Sequence, residues 1–286
     1  MKPAPFEYLR PRTLDEAIAA LAHDDAKILA GGQSLVPMMN FRLVSPERLI
    51  DINGLSDLAT IAEAGESLRI GALVRHAQAA RDPLLARHLP VVAEAMAHVA
   101  HVAIRNRGTI GGSLVHADPS AEWPLLVCLL DGVLDLLGPD GPRTVAPSDF
   151  FIAPLVTDLA EDEVLTGALL PLPDPGMGMA FDEVSLRVGD FAMVACGATI
   201  TLDGGRIASA RLAFGGLGDV PLRMEAVEAA LVGQTPKDIP AIVVDCAEGL
   251  EPNEDMHASA AYRRRLAPVL ARRVLERAAA RAGGRG

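Results

Sequence analysis

Cysteine is scarce in this chain: its 286 residues include only Cys128, Cys196 and Cys246, which lie far apart. An odd and scattered set of cysteines matches neither a disulfide framework nor a metal-binding motif. An iron–sulfur cluster normally takes four closely spaced cysteines, so this chain does not hold one by itself. Any iron–sulfur chemistry connected with the protein therefore needs another chain.

Long apolar runs and net positive charge are also missing. Half of the residues are hydrophobic, yet no run of 18 residues lacks a charge, so no membrane span is predicted. The first residues, MKPAPFEYLRPR, contain no apolar stretch, so we expect no signal peptide and a cytoplasmic location. The net charge of −11 argues against nucleic-acid binding. The arginine-rich run over 263–281 is the local exception, and we interpret it as the solvated face of a helix.

Motifs for self-contained catalysis are absent as well. The sequence shows no Ser–His–Asp set, no paired acid and base within one motif, and no H-E-x-x-H metal spacing. A protein without these groups performs difficult chemistry through a cofactor, for which it supplies position and electrostatics. Any redox chemistry of this chain is therefore expected to belong to a bound cofactor.

Two short loops that contain a glycine pair stand out: AGGQS over 30–34 and TIGGS over 109–113. Each precedes a segment with helical character. Glycine lacks a Cβ, so backbone N–H groups at such a loop can approach an anion closely. The following helix favours negative charge at its start. Two such loops predict one diphosphate held from two sides.

Ordinary turns are the alternative interpretation of these loops. The chain has 26 glycines, and glycine pairs also occur at 204–205, 215–216 and 283–284. The pair at 204–205 lies in LDGGR, which is typical of a hairpin turn. Spacing alone leaves the phosphate and turn interpretations equally supported.

Hydrophobic patterning predicts alternating helices and strands. Thr13 and Glu16 form a capping box before a first helix. Strands over 26–29 and 49–52 flank the first loop and give a small βαβ-like unit. One helix is predicted over 83–100, and strands over 133–137, 143–146 and 163–170 indicate an antiparallel sheet. After a linker at 170–178, the chain is predicted to form strands over 179–186, 195–202 and 206–214 and helices over 224–231, 236–247 and 258–282.

The flanks of the two loops carry a family resemblance. AGGQSLVPMMNFRL from residue 30 and IRNRGTIGGSLVHADPSAEWP from residue 104 resemble the two FAD-binding signatures of the medium subunits of molybdenum-containing hydroxylases. This group includes xanthine oxidase and carbon monoxide dehydrogenase. The resemblance extends from FEYLRPRTLDEAI near the start to AYRRRLAPVLARRVL near the end.

The resemblance implies an α+β fold in two domains. Residues 1–175 would form a vanillyl-alcohol-oxidase (PCMH)-type FAD-binding domain of two α/β subdomains, at about 1–55 and 56–175. Residues 178–286 would form a C-terminal domain of a three-stranded antiparallel sheet and helices. A Rossmann fold is not expected, because no G-x-G-x-x-G follows the first strand.

The resemblance also implies which residues contact FAD. Backbone N–H groups of the two loops would supply most contacts, with hydroxyl groups as further donors. Turn formation or N-capping is the alternative role for these hydroxyls, and many relatives have asparagine where Ser113 stands. The implied loop residues are Ala30, Gly31, Gly32, Gln33 and Ser34 in the first loop and Thr109, Ile110, Gly111, Gly112 and Ser113 in the second.

Three further positions follow from the same resemblance. Glu122 aligns with a carboxylate that contacts the ribose or adenosine side of FAD; a helix-start glutamate favoured by the helix dipole is the alternative. Leu165 and Phe191 would lie beside the flavin ring, although Phe191 could equally be a core residue. Asp182 stands where xanthine oxidase relatives have a lysine, so any interaction of that lysine is absent here.

The implied function is electron transfer. The chain would be the FAD-carrying subunit of a heterotrimeric molybdenum hydroxylase, with a large molybdopterin subunit and a small subunit that holds two iron–sulfur clusters, as a dimer of heterotrimers. Its FAD would receive electrons from a cluster and pass them to an external acceptor. One alternative is a self-contained FAD-dependent oxidase or dehydrogenase, for which His98 and His101 are the motif-like candidates. Another is a nucleotide-binding module without a redox role.

Overall fold

The computed structural model describes residues 2–282, so residues 283–286, including the glycine pair at 283–284, lie outside the described part. The chain begins with a small parallel sheet in the order β1-β3-β2. The first loop leaves this sheet at the end of β2. The elements are β1 (Glu7–Leu9), α1 (Leu14–Leu21), β2 (Ala26–Leu29), α2 (Leu35–Asn40) and β3 (Arg48–Asp51).

The predicted start of α1 is confirmed. The side chain of Thr13 accepts a hydrogen bond from the Glu16 N–H at 3.1 Å. The Glu16 carboxylate accepts one in return from the Arg12 N–H at 2.7 Å, one residue before the position that a capping box uses. The buried face of α1, Ala17 and Leu21, packs into an apolar cluster with β3. This unit matches the predicted βαβ-like unit, with β1 as an additional strand.

The middle of the chain forms an antiparallel sheet of five strands in the order β4-β5-β10-β6-β7. A 3₁₀ turn at Ser56–Ala59 leads into it, and helices occupy the long connection between β5 and β6. The elements are β4 (Ile61–Ala64), β5 (Ser67–Gly71), α3 (His76–Ala79), α4 (Pro83–His88), α5 (Pro90–His98), α6 (Val102–Arg105), α7 (Ile110–His116), α8 (Glu122–Leu129), β6 (Val133–Gly138), β7 (Gly141–Val145), α9 (Pro147–Phe150), β8 (Phe151–Ala153), β9 (Val156–Thr157) and β10 (Val164–Pro171).

The single helix predicted over 83–100 is wrong. The structure has α4 and α5 there, separated at Leu89, whose backbone is non-helical at φ −129° and ψ 60°. Pro90 explains the break, because proline disfavours helical backbone at the residue before it. The apolar periodicity continues across the break, since Leu85, Val92 and Met96 are all buried.

The last part of the chain is an antiparallel sheet in the order β11-β12-β13-β14, covered on one side by helices. Three strands were predicted; the short β14 adds a fourth by pairing with Ala213 and Phe214 of β13. The elements are β11 (Gly178–Ser185), β12 (Ala192–Asp203), β13 (Arg206–Gly215), β14 (Leu222–Arg223), α10 (Glu225–Leu231), a 3₁₀ turn (Pro236–Asp238), α11 (Ile239–Val243) and α12 (Ala260–Ala282).

The arginines of α12 lie mainly on its solvated face, as expected from sequence, and several of them also contact the rest of the chain. Arg263 is buried and pairs with Asp255 at 2.7 Å. Arg277 donates to the carbonyl of Phe181 at 2.5 Å, and Arg281 pairs with Glu94 of α5 at 2.5 Å. These side chains attach α12 to β11 and to the middle part of the chain. No helix in the described residues has the length and apolar character that a membrane span requires.

Candidate functional site

A cleft of about 650 Å³ lies between the two predicted loops. Volumes of this order are usual for small-molecule and cofactor sites. Every predicted contact residue except Ile110 lines it, namely Ala30, Gly31, Gly32, Gln33, Ser34, Thr109, Gly111, Gly112, Ser113, Glu122, Leu165 and Phe191. The structure therefore brings together residues from all parts of the sequence that the resemblance selected.

The first loop touches the residues that lead directly into the second loop. A Cβ placed on Gly31 would lie 2.5 Å from the carbonyl oxygen of Arg107 and 2.8 Å from the Cα of Gly108. Both neighbours are backbone atoms, so they cannot yield to a side chain. Position 31 therefore requires glycine because of the second loop, and the close approach of the two backbones defines the cleft.

The first loop presents backbone donors to the cleft. Among the described residues, none accepts a hydrogen bond from the N–H groups of the five consecutive residues 31–35. Gly32 has a left-handed φ of +71°, which turns the chain so that successive N–H groups form a concave surface. The Gln33 side chain donates to the Gly31 carbonyl at 2.9 Å and holds the turn. Unpaired N–H groups arranged in this way suit an anion such as a diphosphate.

The second loop differs, because the protein itself uses its backbone donors. The N–H groups of Ile110 and Gly111 donate to the carbonyls of Val74 at 3.0 Å and Ala72 at 2.8 Å. Those of Gly112 and Ser113 donate to the side chain and the carbonyl of Thr109, at 3.1 and 3.0 Å. The second loop can therefore offer hydroxyl groups to a ligand, and most of its backbone donors are occupied.

Ile110 lies in the apolar core instead of the cleft. Its side chain is fully buried against the cluster that contains α5 and α8. It anchors the second loop from behind, which explains the isoleucine without a ligand.

Glu122 is a buried carboxyl group at the start of α8. Burial, together with a smaller effect of the nearby Glu183 carboxylate, raises its pKa to about 8. Glu183, on β11, lies 3.4 Å from Nδ1 of His98, and its side chain raises the pKa of that imidazole. At neutral pH the free protein holds Glu122 mainly as the neutral acid, which can both donate and accept hydrogen bonds.

Leu165 and Phe191 bring apolar surface to the cleft from opposite domains. Leu165 is buried in β10, whereas 65 % of Phe191 is exposed. Phe191 is thus not a core residue, which removes that alternative. The turn before it packs on the middle part of the chain, because a Cβ on Gly189 would lie 2.8 Å from the carbonyl of Ala100.

Both domain families of the resemblance match this chain. Residues 4–173 match the FAD binding domain in molybdopterin dehydrogenase, and residues 179–278 match the CO dehydrogenase flavoprotein C-terminal domain. The chain belongs to the family of FAD-binding medium subunits of molybdenum hydroxylases.

Relatives and solved structures agree with this assignment along nearly the whole chain. The chain is 38 % identical to caffeine dehydrogenase subunit beta of Pseudomonas sp., over 98 % of this chain and 97 % of the relative. It is 37 % identical to the carbon monoxide dehydrogenase medium chain of Afipia carboxidovorans, over 99 % of both. Quinoline 2-oxidoreductase from Pseudomonas putida 86 superposes with a TM-score of 0.95 at 39 % identity, covering 99 % of each chain.

The predicted fold class is confirmed for this medium subunit, with a PCMH-type FAD-binding domain followed by the flavoprotein C-terminal domain. The predicted FAD cofactor and oxidoreductase class are confirmed with it. The cleft fits FAD on structural grounds. The first loop supplies unpaired N–H donors, and no side chain fits at the glycine positions where the backbones pack closely. Within residues 2–282, no cluster of three or more histidine, cysteine, aspartate or glutamate side chains is placed to hold a metal ion.

His76 is a cleft residue of the medium subunit that sequence patterns did not reveal. It is 94 % buried, and Trp123 donates to its Nδ1 at 3.0 Å. Burial lowers the pKa of His76 to about 4, so the ring is neutral at physiological pH. Because an indole N–H can only donate, Nδ1 carries no proton and Nε2 carries it. A single histidine in VRHAQ gives no signal in sequence, since its partner lies 47 residues away.

Proposed function

We propose that this chain is the FAD-carrying electron-transfer subunit of a heterotrimeric molybdenum hydroxylase, and that it passes electrons from partner iron–sulfur clusters to an external acceptor. The row of unpaired N–H groups over 31–35 is the observation that supports it best, because it faces a cleft closed by the second loop. FAD, when bound, supplies the redox chemistry.

The diversity of the relatives supports a role apart from substrate binding. They carry names that refer to carbon monoxide, a diatomic gas, and to caffeine and quinoline, two different nitrogen heterocycles, yet each aligns with this chain over nearly its full length. A chain that bound these substrates would need very different pockets. We infer that the hydroxylated substrate binds in another subunit and that the residues of this chain serve the cofactor.

Each part of the cleft has a role in this proposal. The donors of the first loop hold the diphosphate of FAD, and the hydroxyls of Thr109 and Ser113 bind it from the other side. Glu122 binds the ribose or adenosine side. Leu165 and Phe191 cover the flavin ring and exclude water from it.

The assembly follows from the same family. The relatives are subunits of multi-subunit enzymes by name, and we propose a large molybdopterin subunit, a small subunit with two iron–sulfur clusters, and a dimer of such heterotrimers. We place the complex in the cytoplasm, which three free cysteines support. Within this chain we propose domains at 1–175, with subdomains at about 1–55 and 56–175, and at 178–286; the three larger sheets support this division.

Purification of the tagged chain from its native host tests this proposal. We expect two partner chains to co-purify, one with molybdenum and one with iron, and FAD to remain with this chain. Aerobic turnover of a small molecule by the isolated chain would contradict the proposal. The alternative of a self-contained oxidase relied on His98 and His101 as candidate site residues. Neither of them lines the cleft, so the structure does not support that alternative.

A further inference from the structure

Two polar side chains outside the cleft connect the two loops across the subdomain boundary. Asn53 follows β3 on the side of the first loop, and Arg75 precedes α3 on the side of the second loop. Neither side chain lines the cleft, so neither is placed to contact a bound cofactor. We call this pair the inter-loop brace.

Asn53 holds the first loop through its carbonyl groups. Its Nδ2 donates to the carbonyl of Ala30 at 2.8 Å, at the start of the loop. Its Oδ1 accepts from Nη2 of Arg75 at 2.5 Å. Because a guanidinium can only donate, this contact fixes which way the amide points. The backbone N–H of Asn53 donates to Asp51 at 2.9 Å, which holds the residue in place.

Arg75 holds the second loop through both its side chain and its backbone. Its Nη1 donates to the carbonyl oxygen of Arg107. The adjacent His76 N–H donates to the carbonyl of Gly108 at 3.1 Å, and the backbone of Arg75 pairs with that of Thr109. The carbonyl of Arg107 is the same atom that lies 2.5 Å from the Cβ position of Gly31. Arg75 therefore acts at the point where the two loops meet.

The first loop needs such external support. Its five N–H groups over 31–35 make no hydrogen bond to the described residues, so few internal bonds determine its position relative to the second loop. A hydrogen bond that involves a charged group contributes more than a neutral one, and half-burial strengthens it.

We propose that Asn53 and Arg75 are positioning residues that fix the spacing of the two loops and thereby the affinity for FAD. This inference rests on the proposed function, because it assumes that FAD lies between the loops. The Arg75 guanidinium donates to the Asn53 amide, which holds the first loop, and to the Arg107 carbonyl just before the second loop. Lysine at this position could not make both contacts.

Equilibrium FAD titration of the full-length apo-chain tests the brace with Arg75→Met, Asn53→Ala and the double variant. Each single variant should bind FAD about tenfold more weakly or worse, the scale of one lost charged hydrogen bond. The double variant should lose little more than either single one, because both remove the same connection. Arg48→Met is the matched control: Arg48 pairs with exposed Glu7 at 2.7 Å in the same subdomain, away from the loops, and should leave FAD binding unchanged.

A second variant and a second readout separate positioning from general stability. Arg75→Lys keeps the charge and should also weaken FAD binding, which carries the test if Arg75→Met does not fold. The thermal midpoint of each apo-variant should stay near that of Arg48→Met. Wild-type affinity in Arg75→Lys and Asn53→Ala, or strictly additive losses in the double variant, would overturn the inference. Failure of the wild-type chain to bind FAD would instead overturn the proposed function.

Discussion

At Gly31, the geometry of the site depends on the absence of a Cβ atom. Sequence reasoning attributed the glycine pairs to phosphate approach, but at position 31 the structure shows a backbone neighbour, the carbonyl of Arg107, as the immediate reason. Gly111 is similar, since a Cβ there would lie 2.6 Å from the Cβ of Ala72. Because these two positions carry no Cβ, the loops can pack closely. In this packed position their N–H donors and hydroxyl groups face the cleft.

Gly31→Ala should therefore weaken FAD binding about tenfold or more, a loss of roughly 1.4 kcal/mol or above. The added methyl group pushes the first loop away from the second. FAD titration of the apo-chain measures the effect. Gly204→Ala is the control, because a Cβ there meets open space in the β12–β13 hairpin, although Gly204, unlike Gly31, has a positive φ of +54°. Equal FAD affinity in both variants would show that loop contact does not matter.

Glu122 gives the stability of the free chain a pH dependence. Its pKa rises from 4.5 in the unfolded chain to about 8 in the folded one. Between these two values the folded state binds more protons than the unfolded chain. The contribution of Glu122 to the free energy of unfolding is therefore fully present below about pH 4.5 and is lost as the pH rises to 8. At about 1.4 kcal/mol per pKa unit, the loss is on the order of 5 kcal/mol. His98, whose pKa is also raised, changes stability in the same direction.

Glu122→Gln should flatten this dependence, because glutamine resembles the neutral acid at every pH. Urea unfolding of the wild-type and variant apo-chains at several pH values between 5 and 9 measures it. We expect the variant to be the more stable protein above pH 8. A wild-type slope that persists in the variant would assign the pH dependence to other groups.

Elements show where sequence patterns suffice and where they do not. The parallel unit, the middle antiparallel strands and the hairpin at 204–205 followed from periodicity and turn residues. The break at Leu89 was missed because the apolar period runs through it, although Pro90 was a visible signal. β14 was missed because a two-residue strand carries no periodicity.

The solvated face of α12 was predicted from its charge, but the contacts of its arginines were not. The charge of Arg277 and Arg281 predicts exposure to solvent. No local pattern reveals that both side chains also donate to carbonyl groups of β11. The same limit applies to the site. The loops were recognisable from their flanks, but the Trp123–His76 contact and the inter-loop brace join residues far apart in sequence, so they required the fold.

Helix α12 packs closely on strand β11 at Gly178. A Cβ on Gly178 would lie 1.9 Å from the carbonyl of Ala278, near the C-terminal end of α12. Gly178→Ala should destabilise the chain at the upper end of the roughly 1–3 kcal/mol typical for overpacking, or beyond. Thermal or urea unfolding detects this. The control Gly233→Ala should cost only the strain of its positive φ, since nothing lies near it. Equal losses of unfolding free energy in the two variants would mean that α12 can move away from β11 at little cost.

Across the whole molecule, the cleft takes residues from each of the three sheet-containing parts. The first loop comes from the parallel unit, Glu122 and Leu165 from the middle part, and Phe191 from the C-terminal domain. Cofactor binding should therefore hold the three parts together.

The absorption spectrum and flavin content of the natively purified chain test this account most directly. The account predicts a yellow protein that releases one FAD per chain on denaturation, and a Gly31→Ala variant that retains much less. A colourless wild-type chain that takes up no FAD when the cofactor is supplied would contradict it.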